Sequence, residues 1–105
     1  MVYLVYVTAG SEEEARKLAR QVVEERLAAC ANVYPGITSY YWWEGKLQED
    51  REASLIFKTS AEKVEKLVER VKELHTYSCP CVLAWPVEKG YRAFISWVLE
   101  ETQNK

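Results

Sequence analysis

Three side chains within seven positions of one another are the best equipped for chemistry in this sequence: His75, Cys79 and Cys81. Imidazole and thiolate are ligands for soft or borderline metals such as Cu(I) and Zn(II). Side chains alternate along an extended segment, so Cys79 and Cys81 fall on one side of it. A short loop would let His75 fold over them. His75, Cys79 and Cys81 are therefore the candidate metal ligands, with a copper or zinc ion as the candidate cofactor. A fourth ligand would have to come from Cys30 or from another subunit. The competing reading is two small packed thiols and a loop histidine hydrogen-bonded to backbone. Cys30, where a helix joins a strand, reads as a packed residue.

Other chemistries find little support. His75 is the only histidine, so one chain cannot supply two imidazoles. A nucleophilic pair of His75 with Cys30 or Cys79 would need an orienting third group and an oxyanion hole. No glycine-rich turn supplies that hole, and the four isolated glycines form neither a phosphate loop nor a dinucleotide fingerprint. The sequence does not read as an enzyme. Lys and Arg number 14 against 16 Asp and Glu, a net charge of −2. That balance gives no electrostatic footprint for nucleic acid or an anionic membrane. No apolar run approaches the ~20 residues of a membrane span. The start, Met1 to Val7, lacks a basic region and turns polar at Thr8, so it reads as a strand rather than a signal peptide. Three cysteines without a secretory signal do not make a disulfide framework. A cytoplasmic protein with reduced thiols is expected.

The elements that must position these residues follow from periodicity. The chain of 105 residues is long enough for one domain, 1–105, with one core. Val2 to Val7 is nearly continuous apolar sequence, the pattern of a central strand covered on both faces. Ser11 to Ala29 predicts a helix, with Ser11 and Glu14 at capping-box spacing and Glu12 to Glu14 matched to the helix dipole. Its apolar face is Ala15, Leu18, Ala19, Val22, Val23 and Leu27. Thr59 and Glu62 repeat the cap spacing before a second helix, Ser60 to Leu74. Val82 to Val87 is a short strand whose Pro86 marks an edge or exit. Gly90 precedes a last helix with the stripe Tyr91, Phe94, Ile95, Val98 and Leu99. The tail from Thr102 to Lys105 is expected to fray.

Between the first two helices lies the stretch that organises the chain, Ala31 to Lys58. Two β-rich runs flank Glu44-Gly45, where Gly45 allows a tight turn. Such a turn pairs Trp43 with Lys46, Trp42 with Leu47 and Tyr41 with Gln48. Arms of roughly a dozen residues would reach about 40 Å, against a radius of gyration near 13 Å for such a chain. The hairpin must bend at Pro35-Gly36 or project. A projecting tip bearing Tyr40, Tyr41, Trp42 and Trp43 predicts a subunit interface. The order β-α-β-β-α-β plus a terminal helix predicts an α+β fold. It is a ferredoxin-like split β-α-β antiparallel sheet with a long protruding β-hairpin and a C-terminal helix.

These residues resemble the CutA family of divalent-cation-tolerance proteins. One block is Glu25-Arg26-Leu27-Ala28-Ala29-Cys30, then Asn32, Pro35-Gly36, Ser39, Tyr41, Trp43 and Gly45. A second is Glu49-Asp50, Glu52 and Lys58-Thr59; a third is His75, Tyr77 and Pro80, then Gly90 and Phe94 to Trp97. The resemblance implies a homotrimer similar in architecture to the PII-type signalling proteins, with the hairpin packed on neighbouring subunits. It also implies a part in metal tolerance, with copper or another divalent ion bound, or alternatively a PII-like trimer holding a small effector between subunits, or an assembly scaffold. Thr76 and Cys81 depart from the pattern, which usually has proline and often an acidic residue there. Val7 and Leu74 stand where some copper-binding relatives have cysteine and histidine.

Overall fold

The computed structural model describes residues 1–103. Strand β1 (Val2–Ala9) leads to helix α1 (Glu12–Glu24) and then to strands β2 (Cys30–Trp43) and β3 (Lys46–Ser60). A 3-10 turn (Ala61–Lys63) opens helix α2 (Val64–Leu74), and β4 (Val82–Pro86) and α3 (Arg92–Glu101) follow. The four strands form one sheet in the order β2-β3-β1-β4, antiparallel throughout. This is the expected ferredoxin-like arrangement. Its core joins Val5, Val7 and Ala9 of β1 and Leu55 and Phe57 of β3 to Leu18 and Val22 of α1 and Leu67 and Val71 of α2. Among the described residues no helix is long and apolar enough to cross a membrane.

Strand β1 is an inner strand, as its apolar run predicts, but only alternate residues enter that core. Leu4 and Tyr6 point the other way and are half-buried. Their partners on β4, Trp85 and Leu83, are exposed. This apolar sheet face is left uncovered by the two helices that close the opposite one.

Helix α1 begins as expected, with the Ser11 hydroxyl accepting from the Glu14 N–H at 3.1 Å. The carboxylate of Glu14 passes over the cap residue and takes the Gly10 N–H instead, at 3.0 Å. The helix stops at Glu24, five residues before the predicted Ala29. Arg26 turns to φ 63°, and the N–H groups of Arg26 and Leu27 reach back to the carbonyls of Val23 and Val22. This is a Schellman ending, with arginine in the position that glycine usually fills. The apolar pattern runs on because Leu27 and Ala28 still pack on the core from outside the helix.

The second predicted cap does not form. Thr59 instead donates its hydroxyl to the Leu27 carbonyl at 2.6 Å, and neither the 3-10 turn nor α2 has a side-chain cap. The last helix buries Val98 but leaves Tyr91, Phe94 and Trp97 exposed, so its predicted stripe is only partly covered. Thr102 does not fray: it is buried and donates to the Val98 carbonyl at 2.9 Å. Gln103 is exposed but still donates its N–H to the Glu100 carbonyl at 3.2 Å, and Asn104 and Lys105 lie outside the described residues.

The hairpin follows the predicted register. Trp43 pairs with Lys46, Trp42 with Leu47 and Tyr41 with Gln48. Glu44 at φ 49° and Gly45 at φ 76° give the doubly left-handed turn whose twist matches that of the strands. The ladder slips between Tyr34 and Ile37, where Pro35-Gly36 makes a bulge. The arms run to 14 and 15 residues, and the subunit measures 44 × 26 × 21 Å. The hairpin both bends and projects.

Candidate functional site

The bulge decides which side chains meet. Val33 lies opposite Leu55, a core residue, so simple alternation along β2 would put Ser39, Tyr41 and Trp43 on the helix side. The extra residue at Pro35-Gly36 reverses that parity. Ile37 stands opposite Glu52, Ser39 opposite Asp50 and Tyr41 opposite Gln48. Ser39, Tyr41 and Trp43 therefore share a face with Asp50 and Glu52, on the side of the sheet away from the core.

A cleft of about 500 Å³ opens there. The hairpin supplies Ser39, Tyr41, Trp43 and Glu52 to its lining, and β1 supplies Thr8. The loop after α2 supplies Tyr77, Ser78, Cys79 and Cys81. Tyr77 donates its hydroxyl to Glu52 at 2.8 Å, and Tyr41 donates to Asp50. Burial and the Glu52 carboxylate push the Tyr77 phenol well above its usual range, and the Asp50 bond raises that of Tyr41. Burial raises the Cys81 thiol, which a hydrogen bond with Thr8 offsets only in part. Cys79 is exposed and Cys81 half-buried, and all three cysteines are free thiols. A larger groove of about 640 Å³ follows the outer flank of α1. Its charges pair along the helix, Lys17 with Glu13 at 3.4 Å and Arg20 with Glu24 at 2.9 Å, as on a solvated face.

The structure brings Cys79 and Cys81 to one cleft but places His75 behind its wall. The His75 side chain is fully buried. Its Nε2 lies 2.7 Å from the Thr8 carbonyl oxygen, and its Nδ1 accepts the Tyr77 N–H at 3.0 Å. Those two partners engage both ring nitrogens, and the Glu14 carboxylate stands 3.6 Å from Nδ1, so neither nitrogen is turned to the cleft as a metal ligand. The rings of His75 and Tyr77 stack at 4.7 Å between centroids. Glu14 completes the support. It takes the Thr76 N–H at 3.1 Å and the Thr76 hydroxyl at 2.8 Å. Burial pushes the Glu14 carboxyl up, but the bonds from Thr76 and Gly10 outweigh it and hold the group below its usual range. His75 thus fits the reading in which a loop histidine binds backbone. Among the described residues no group of three or more His, Cys, Asp or Glu side chains is placed to hold a metal ion. Cys30 lies on β2 opposite Lys58, away from the cleft lining.

The sequence did not single out Glu52, Tyr77 or Trp43 as site residues. The signal was present in Ser39, Tyr41 and Trp43, three polar or amphipathic residues at a spacing of two, the first of them opposite Asp50 of the partner strand.

A family model for the CutA1 divalent ion tolerance protein matches residues 3–101. The chain is 47% identical to the divalent-cation tolerance protein CutA of Thermus thermophilus, over 97% of this chain and 99% of that protein. It is 41% identical to the protein of the same name from Archaeoglobus fulgidus, over 94% and 96%. The solved Thermus thermophilus structure superposes with a TM-score of 0.94, covering 98% of this chain and 100% of that one. The Archaeoglobus fulgidus structure, described as the periplasmic divalent cation tolerance protein CutA, gives 0.94 with the same coverage. Ser39, Tyr41, Trp43, Glu52 and Tyr77, which are among the residues that carried the resemblance, line the cleft together with Thr8, Ser78, Cys79 and Cys81. The chain belongs to the CutA1 divalent ion tolerance family.

Proposed function

We propose that this protein serves divalent-cation tolerance as a homotrimer that takes a soft metal ion, copper before zinc, at Cys79 and Cys81. The observation that carries the reading is that Cys79 and Cys81 both line the cleft formed with Ser39, Tyr41, Trp43, Glu52 and Tyr77. Soft thiolates select Cu(I), and two of them suffice for a two-coordinate ion. Zinc in a closed site asks for four ligands, which the described residues of one subunit do not gather. In this reading His75 is a positioning residue. Its ring, locked between Thr8 and Tyr77, fixes the loop that presents the thiols. The assembly is supported by the open apolar sheet face with Leu83 and Trp85, and by Tyr40 and Trp42 on the hairpin, 65% and 73% exposed. Anaerobic competition titration of the reduced protein with Cu(I) tests the reading. Stoichiometric binding that disappears in the Cys79→Ser/Cys81→Ser variant supports it, and binding retained by that variant overturns it.

A further inference from the structure

Three glutamates open α1, and one of them is used differently from the other two. Glu12 pairs with Arg16 at 2.7 Å and Glu13 with Lys17 at 3.4 Å, both along the solvated flank of the helix. Glu14 turns inward, with 16% of its side chain exposed. Its backbone is set by the cap, where its N–H donates to the Ser11 hydroxyl. Its carboxylate then uses both oxygens. Oε1 accepts the Gly10 N–H at 3.0 Å, and Oε2 accepts the Thr76 N–H at 3.1 Å and the Thr76 hydroxyl at 2.8 Å. One side chain thus ties the turn between β1 and α1 to a loop 62 residues further on.

That loop runs from His75 to Cys81 and carries both thiols. The fold sets its two ends: the His75 N–H closes on the Val71 carbonyl at 2.8 Å, and Val82 pairs with Val7. Between them Glu14 holds Thr76, Glu52 holds Tyr77, and Thr8 is hydrogen-bonded to Cys81. The turn and the loop are closely apposed. A Cβ on Gly10 would stand 3.3 Å from the Tyr77 hydroxyl oxygen and 3.4 Å from Glu14 Oε1. Hydrogen bonds to a carboxylate are stronger than neutral ones, and Thr76 makes two of them. A ligand pair that the fold has already ordered loses less entropy on binding than a mobile one.

We propose that Glu14 is a positioning residue for Cys79 and Cys81: by clamping Thr76 it holds the thiol loop in the conformation that takes the metal. The consequence for copper rests on the reading above, whereas the clamp rests on the Glu14 contacts alone. A carboxylate suits the role because it accepts on both oxygens. Glutamine has one acceptor oxygen, and its amide nitrogen would face a donor at Gly10 or at Thr76.

Two measurements on the intact reduced protein test the proposal. In native-state hydrogen exchange, the Thr76 amide of Glu14→Gln should exchange at least about tenfold faster than that of the parent. In anaerobic competition, Cu(I) affinity should fall by about tenfold in the same variant. Thr76→Val loses the hydroxyl but keeps the N–H, and should shift both readouts less, in the same direction. Thr76→Ser keeps both donors and should match the parent. Val22→Ala lowers stability from the buried face of the same helix without touching the clamp, and should leave Cu(I) affinity unchanged. Parent-like exchange at Thr76 in Glu14→Gln, unchanged copper affinity once that amide is released, or an equal loss of affinity in Val22→Ala would each overturn the proposal. A parent that binds no copper overturns the metal reading instead, and the exchange rates then decide for or against the clamp.

Discussion

Tyr77 and Glu52 are joined by a hydrogen bond of 2.8 Å between residues 25 apart in the chain. It is the tie between the loop that carries the thiols and the base of the hairpin. A bond to a carboxylate contributes about 1.5–3 kcal/mol. Tyr77→Phe keeps the ring against His75 and removes only this bond. Denaturant unfolding should show a loss within that range, and a variant as stable as the parent would mean that the loop is held from elsewhere.

His75 separates a ligand from a support. His75→Ala removes a fully buried ring and leaves the Thr8 carbonyl and the Tyr77 N–H without their partner, so a loss of about 2–4 kcal/mol is expected. Copper stoichiometry should nevertheless be unchanged in the folded variant. A lost equivalent of Cu(I) would show that the ring leaves its backbone partners to bind the metal.

Acid should loosen the same loop through Glu14. Its carboxyl is held below the usual range by bonds from Thr76 and Gly10, which outweigh the opposing effect of burial. A depressed folded-state value stabilises the protein above the unfolded value, near pH 4.3, and that stabilisation is lost as pH falls through the folded value. The melting temperature of Glu14→Gln should therefore lie below the parent's at pH 7, and the gap should narrow as pH falls below about 4. A gap that does not change with pH would contradict the assignment.

Copper binding should release protons. Burial holds the Cys81 thiol above its ordinary value, so the metal must displace its proton. Affinity should fall by about tenfold for each unit that the pH is lowered, for each thiol still protonated in the free protein. Cu(I) competition at several pH values measures this slope. A pH-independent affinity would indicate ligands other than thiols.

The outward hairpin face tests assembly. Tyr40 and Trp42 share it with Leu47, and all three are exposed in the isolated subunit. If they anchor a neighbour, Tyr40→Ala/Trp42→Ala should cost the interface about 2–4 kcal/mol and shift sedimentation toward smaller species at micromolar concentration. A parent protein that sediments as a monomer would remove the trimer from the account.

The sheet, the helices and the hairpin register were legible because each rests on a local pattern. The capping spacing of Ser11 and Glu14 placed α1, and Gly45 placed the turn. The end of α1 was hidden because Arg26 takes a left-handed conformation that ordinarily marks glycine, while Leu27 and Ala28 continue the apolar pattern beyond the helix. The thiol pair was legible from its spacing, but the role of His75 was not. That role depends on a carbonyl at Thr8, 67 positions away, and on a backbone N–H two residues on. The rest of the cleft was hidden by one residue: the bulge at Pro35-Gly36 turns Ser39, Tyr41 and Trp43 to the face that period-two counting from Val33 denies them.

The most direct measurement is X-ray absorption at the copper edge of the Cu(I)-loaded, reduced protein beside its Cys79→Ser/Cys81→Ser variant. The account predicts sulfur neighbours and no imidazole signature in the parent, and no bound copper in the variant. An imidazole signature in the parent, or an unchanged spectrum in the variant, would contradict it.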